Sequence, residues 1–147
     1  RRRHPLVLAG AAIPSRLKAL FGKMSPASIK TIGALTDEEL PALYRGATVF
    51  AFPSHYEGFG LPVLEAMASG VPVVVSKTPA LVELTGDAAV HVDADDDAAW
   101  LAALAAILED PSQRGRLGAA GRQRAGAFST ERMTKDILHV IDGVLAA

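Results

Sequence analysis

The sequence contains no cysteine, which excludes disulfides, thiol catalysis and thiolate metal sites and fits a reducing compartment, the cytoplasm being the simplest placement. It also lacks an excess of either charge. Fifteen Lys and Arg against sixteen Asp and Glu leave a formal net charge of −1, so no global field draws the chain toward nucleic acid. No uninterrupted apolar run approaches the ~20 residues needed to span a bilayer, and the apolar stretch after Arg1-Arg2-Arg3-His4-Pro5 is too short for a signal peptide. The arginine triplet reads as an exposed end. Internal repeats and low-complexity segments are missing as well. What remains is a chain of 147 residues, 50% hydrophobic, which fits one domain burying about two-thirds of its unfolded surface around a single core.

The order of elements is legible from apolar runs and their punctuation. Leu6 to Gly10 is a short apolar run closed by glycine, the pattern of a strand buried on both faces. A helical stretch from about Ser15 to Met24 leads to a second strand, Ser28 to Gly33. Thr36 with Glu39 three residues later forms a capping box for a helix reaching about Arg45. A third strand follows at Ala47 to Phe52. Beyond a loop and a helix comes the β-branched run Val71 to Val75, with Pro72 tolerable near a strand start. A short helix at Pro79 to Leu84 and a strand at Ala88 to Val92 follow. Asp95, Asp96 and Asp97 place acidic groups at the start of a helix from Ala98 to Leu108. Asp110-Pro111 opens the next helix, which breaks near Gly126 to Ser129 before a last helix capped by Ser129 or Thr130. Alternating strands and helices imply right-handed crossovers and a doubly wound, mostly parallel sheet, a Rossmann-like α/β fold. Ligands of such sheets sit beyond the carboxyl ends of the strands.

The loop after the third strand, Ser54-His55-Tyr56-Glu57-Gly58-Phe59-Gly60-Leu61-Pro62, carries the chemistry. Proline at position 62 suits a first helical turn, so the helix starts near Leu61, and leucine is a poor N-cap. Amides around Gly60, Leu61 and Val63 then need an acceptor from elsewhere. Glycines at 58 and 60 let backbone approach a ligand, and a helix N-terminus offers donors and a positive dipole end to phosphate. Glu65 falls one turn into a helix whose apolar residues are expected to bury it, so its carboxylate needs donors such as ribose hydroxyls. Residue types alone leave a plain strand-to-helix turn equally open. The loop matches neither the GxGxxG fingerprint nor a Walker loop.

The stretch from Glu57 to Val73 resembles the E-x7-E signature of the group 1 glycosyltransferases, retaining enzymes of the GT-B fold. The likeness continues upstream through Leu35 to Leu40 and Leu43-Tyr44, and downstream through Ala80 to Glu83, Gly86 to Ala88, Arg124-Ala125 and Phe128-Ser129. It implies that residues 1–147 are the nucleotide-sugar donor-binding, C-terminal half of such an enzyme, without its first strand-helix unit. Glu57 would contact donor-sugar hydroxyls as the catalytic glutamate. Gly58, Phe59, Gly60 and Leu61 would offer backbone amides to sugar and diphosphate, and Glu65 would bond the nucleotide ribose. The base would lie near Ile32 and Gly33. Where the family often has a basic residue before Phe-Ser and a tryptophan after it, this chain has Ala127 and Thr130.

The same resemblance implies partners and absences. The acceptor would be bound by an N-terminal domain of the same enzyme, with peripheral membrane association of the whole enzyme left open. The Arg and Lys that usually neutralise the departing diphosphate are not found, since Arg16, Lys18, Lys23 and Lys30 lie on other elements, so this chain alone is expected to be inactive. A sheet without its central strand is expected to be completed by a longer chain or by another copy. No cofactor or metal is implied. The D-x-D patterns at Asp93 to Asp97 fit helix capping. His55 reads as a loop-surface residue and His91 as a satisfied strand residue, while His4 and His139 lack partners for a metal or a Ser-His-Asp site. Of the alternatives, a phosphorylase of similar architecture lacks a lysine in the setting that pyridoxal phosphate needs and an epimerase lacks the E-x7-E context, while a catalytically silent module that binds nucleotide or protein stays open.

Overall fold

The computed structural model describes residues 4–10 and 28–145. The expected helix at 15–24, the arginine triplet and the basic residues at 16, 18 and 23 lie outside the described residues. The fold is α/β with parallel strands, and the chain divides into two compact units, Arg1–Ala42 and Leu43–Ala147.

In the first unit β1 (Leu6–Ala9) pairs in parallel with β2 (Ile29–Ile32), Leu6 lying opposite Ile29. Here the expectation of burial on both faces fails. Leu6 and Val7 are 50% and 38% exposed, and only Leu8 is partly covered. Continuous apolar character signals burial only where layers cover both faces of a strand, and this two-stranded sheet does not provide that cover for β1. The capping box forms in modified shape. The Thr36 amide and hydroxyl both donate to Glu39 Oε2, at 2.9 and 3.2 Å, while the Thr36 carbonyl accepts from the amides of Glu39 and Leu40. The helix it opens, α1, spans Leu40–Gly46.

The second unit runs β3 (Phe50–Phe52), α2 (Leu61–Ala68), β4 (Val73–Ser76), α3 (Pro79–Thr85), a 3-10 turn (Gly86–Ala88), β5 (Val90–Val92), α4 (Asp97–Glu109), α5 (Pro111–Ala125) and α6 (Thr130–Leu145). The sheet order is β3-β4-β5, all parallel, with Phe50 opposite Val73 and Val74 opposite Val90. Strand ends are trimmed relative to expectation for local reasons. The Ala47 amide closes α1 on the Tyr44 carbonyl, and Pro72 stays just ahead of β4 while its carbonyl accepts from the Phe50 amide at 2.9 Å.

Central β4 is buried along its whole length, as a middle strand covered on both faces must be. Val74 packs with Val92, Trp100, Ile107 and Leu117 in one cluster of the core. Trp100 and Ile107 stand two turns apart on one face of α4, and full burial of a side chain such as Ile107 stabilises the fold by about 1.5–3 kcal/mol. The buried face of α5 is small: Leu117, Gly118, Gly121 and Ala125. A Cβ at Gly118 would strike the Gly70 carbonyl and one at Gly121 would lie 3.5 Å from Met67, so these glycines set how closely α5 approaches the end of α2. Ser129 Oγ accepts from the Arg132 amide at 3.1 Å and caps α6. Every side chain of α6 is exposed, including Met133, Ile137, Val140, Ile141 and Val144, whose spacing places them on one stripe. Among the described residues no helix is long and apolar enough to cross a membrane.

Candidate functional site

The loop from β3 to α2 lies at the carboxyl end of β3, within the second unit. Its entry is pinned to the neighbouring strand, since the Ser54 amide donates to Ser76 Oγ at 2.8 Å. Ser76 is fully buried, and its position as the one polar residue closing a valine strand was the available sequence signal for this tie. Ser54 Oγ in turn donates to the Tyr56 carbonyl at 2.7 Å. Partly buried Glu57 then folds back, Oε1 accepting from the Gly58 amide at 3.1 Å.

Gly60, at φ 97° and ψ 46°, is the N-cap of α2, with no side-chain cap. Its carbonyl accepts from the amides of Val63 and Leu64 at 2.9 and 3.1 Å. Two expectations are corrected here. The helix begins at Leu61 as expected, but its cap is Gly60 in a left-handed turn rather than Leu61, and the Val63 amide is consumed by the helix itself. The Gly58 amide is likewise engaged, by Glu57. The amides of Phe59, Gly60 and Leu61 donate to no group among the described residues. The two glycines differ in kind: a Cβ on Gly60 would lie 2.7 Å from Leu81 Cδ2 and 3.2 Å from Leu84 Cδ2, whereas one on Gly58 would meet nothing within 4 Å.

Phe59, 45% exposed, meets Phe128 edge-on at 6.1 Å between ring centroids. The Arg124 guanidinium sits 5.0 Å from the Phe128 centroid and donates to the Leu84 and Glu83 carbonyls at 2.8 and 2.6 Å. A cation at those carbonyls satisfies the C-terminal end of α3. The Arg124–Phe128 pair thus ties Phe59 of this loop to α3, a role the sequence did not disclose.

Glu65 departs from expectation. It is exposed, because the buried face of α2 is Val63, Ala66 and Met67 and position 65 points away from it. The desolvation argument for a ligand therefore does not hold. Instead Glu65 Oε2 accepts a hydrogen bond from the Tyr44 hydroxyl at 3.0 Å. Tyr44, from α1, is 8% exposed and packs edge-on against Phe50 at 5.5 Å. Burial first, then the bond to Glu65 and its charge, push the Tyr44 phenol far above its ordinary range, so it stays a donor. A buried tyrosine needs a partner for its hydroxyl, and that need was the sequence-level hint to this pairing.

Elsewhere acidic groups cap helices. Asp96 Oδ1 accepts from the Ala99 amide at 2.9 Å, and Asp110 Oδ1 from the amides of Ser112 and Gln113 at 2.8 and 3.1 Å. His55 lies 3.7 Å from Asp95, both well exposed at 72% and 83%, a pairing of little energetic weight. His91 Nε2 is 2.7 Å from Thr85 Oγ1. The Thr85 hydroxyl donates to the Leu81 carbonyl at 2.7 Å, so its oxygen is left to accept from the histidine N–H. Burial lowers the His91 pKa against the opposing pull of Asp87, with Lys77 adding to the lowering.

Residues 3–124 match the family model for glycosyl transferases group 1, and the chain belongs to that family. It is 44% identical over 111 residues to O-antigen chain mannosyltransferase B of Escherichia coli, covering 76% of this chain and 29% of that protein. It is 38% identical over 122 residues to D-inositol 3-phosphate glycosyltransferase of Salinispora arenicola, covering 82% of this chain and 27% of the relative. The chain therefore spans under a third of the length of these curated relatives. Among solved structures, sucrose-phosphate synthase from Thermosynechococcus elongatus superposes with a TM-score of 0.87 at 29% identity, over 96% of this chain and 38% of the other. Anabaena HepE, solved with UDP and glucose, superposes at 0.83 and 21% identity over 95% of this chain and 40% of its own. The parallel α/β architecture is that of the C-terminal domains of GT-B glycosyltransferases.

Proposed function

We propose that this chain binds the donor of a retaining glycosyltransferase, an enzyme that moves a glycosyl group from a nucleoside diphosphate sugar to a hydroxyl. The observation that carries the reading is the N-terminus of α2. It has a left-handed glycine cap with no side-chain acceptor and three successive amides, Phe59 to Leu61, without partners among the described residues. Glu57 precedes this cluster and Glu65 follows it. Such amides, with the helix dipole, are placed to stabilise charge developing on a leaving diphosphate. Glu57 contacts the sugar and Glu65 the ribose.

The acceptor and the groups facing the reacting carbon belong to an N-terminal domain of the same enzyme, so this chain alone does not turn over. The whole enzyme works in the cytoplasm, and no metal or cofactor is assigned a step. The curated relatives, both named as sugar transferases, support this reading.

Ligand-observed NMR of the chain against UDP, GDP and ADP and their glucose and mannose conjugates tests it. Selective binding that Glu65→Ala weakens supports the assignment and names the donor. Binding of the sugar conjugates that is indifferent to Glu65→Ala and to Glu57→Ala would sink it. A catalytically silent module, the alternative, binds nucleotide in the intact protein without transfer to any hydroxyl acceptor.

A further inference from the structure

Tyr44 lies on a different element from every residue of the donor loop, yet its hydroxyl reaches Glu65 Oε2 at 3.0 Å. We propose that Tyr44 is a positioning residue for the nucleotide ribose, holding the Glu65 carboxylate in the orientation that receives the ribose hydroxyls. The proposal rests on the donor-site reading above.

Three observations carry it. First, Glu65 is exposed on α2, where a glutamate with no partner samples several rotamers and loses that freedom when a ligand binds. The Tyr44 bond removes part of the freedom beforehand, so less is lost on binding. Second, the bond engages one oxygen only. Oε1 accepts from no donor among the described residues, and a carboxylate has lone pairs for further donors even at the engaged oxygen. Third, Glu65 stands about one helical turn, roughly 5.4 Å of rise, past the amides at the start of α2, a span suited to the step from diphosphate to ribose.

Tyr44 is itself held by packing. Its ring is buried and set edge-on against Phe50 of β3, and its phenol remains protonated because burial and the Glu65 charge disfavour the phenolate. A rigid donor on a packed ring is what a floppy carboxylate needs for a defined direction.

The test uses the longest natural polypeptide that contains these residues. Calorimetric affinities are measured for UDP, GDP and ADP and for their 2′,3′-dideoxy counterparts, in the wild type, Tyr44→Phe, Glu65→Ala and the double variant. Phenylalanine keeps the packing against Phe50, and a melting curve confirms that the variant folds. In the wild type the bound ribonucleotide should exceed its dideoxy counterpart by about tenfold or more, since hydrogen bonds to a charged acceptor are the strong ones. Glu65→Ala should abolish that ratio. Tyr44→Phe should lower it by about 2- to 10-fold, the range for ordering one side chain on binding, without changing dideoxy affinity, and should add nothing in the Glu65→Ala background.

A ratio lost in Glu65→Ala but kept in Tyr44→Phe overturns the positioning role and leaves the donor site standing. Equal weakening of ribo- and dideoxynucleotides in Tyr44→Phe also overturns it, since that is the signature of a purely structural tyrosine. A ratio that survives Glu65→Ala, or no nucleotide binding by the wild type, overturns the donor-site reading and the proposal with it.

Discussion

Replacing Gly60 by alanine separates two kinds of glycine in one loop. At φ 97° an L-residue enters the left-handed region at a cost of about 1–2 kcal/mol. The added Cβ would also lie 2.7 Å from Leu81 Cδ2, and Leu81 is fully buried, so the leucine can yield only by pushing on the core. Overpacking of that kind costs about 1–3 kcal/mol. The two add to about 2–5 kcal/mol lost in Gly60→Ala. Gly58→Ala meets nothing within 4 Å and has no positive φ, so its stability should stay within about 1 kcal/mol of the parent. Urea titrations of the three chains, read as shifts in midpoint at unchanged slope, provide the comparison. A Gly60→Ala loss below about 1 kcal/mol, or a Gly58→Ala loss of equal size, would refute the reasoning, because it would mean that the cap geometry is not fixed by the packing of α3.

Other expectations are open to the same measurement. Asp110→Ala removes the acceptor for the Ser112 and Gln113 amides and should cost about 0.5–2 kcal/mol, with Asp110→Asn recovering most of it; no change on alanine substitution would deny the cap any energetic role. Burial holds the His91 pKa below the ordinary imidazole value of 6.5, so the unfolded chain takes up the proton first. The stability this confers is fully present above that value and declines as pH falls from it toward the folded-state value. A pH series of urea midpoints in which His91→Gln declines as steeply as the parent over that window would reject the linkage. Ile107→Ala, at a fully buried core position, should cost about 2–5 kcal/mol. Ile137→Ala, on α6 and 51% exposed, should change stability by about 0.5 kcal/mol or less; equal losses would show that α6 is packed.

Much of the loop between β3 and α2 was legible because its signals are local. Proline at 62, glycines at 58 and 60 and the absence of a polar cap announce a helix start with spare amides, and the E-x7-E spacing of Glu57 and Glu65 brought the family into view. The Asp96 and Asp110 caps were legible for the same reason, since a cap and the amides it accepts from lie within three residues. What failed depended on neighbours. The apolar run at Leu6 to Ala9 looked buried on both faces, and Glu65 looked enclosed by its helix, because a sequence states how apolar a segment is and not which other segments cover it.

The sequence by itself therefore determined the alternation of strands and helices and the uncapped start of α2. Only the tertiary structure decided that Gly60 is the cap with α3 packed against it, that Ser76 holds the loop entry, that Arg124 and Phe128 support Phe59, and that Tyr44 from another helix bonds to Glu65. The division has a physical cause. Propensity, capping and turn chemistry act over a few residues along the chain, whereas burial and hydrogen bonds between groups 21 to 41 residues apart exist only once the chain has folded back on itself.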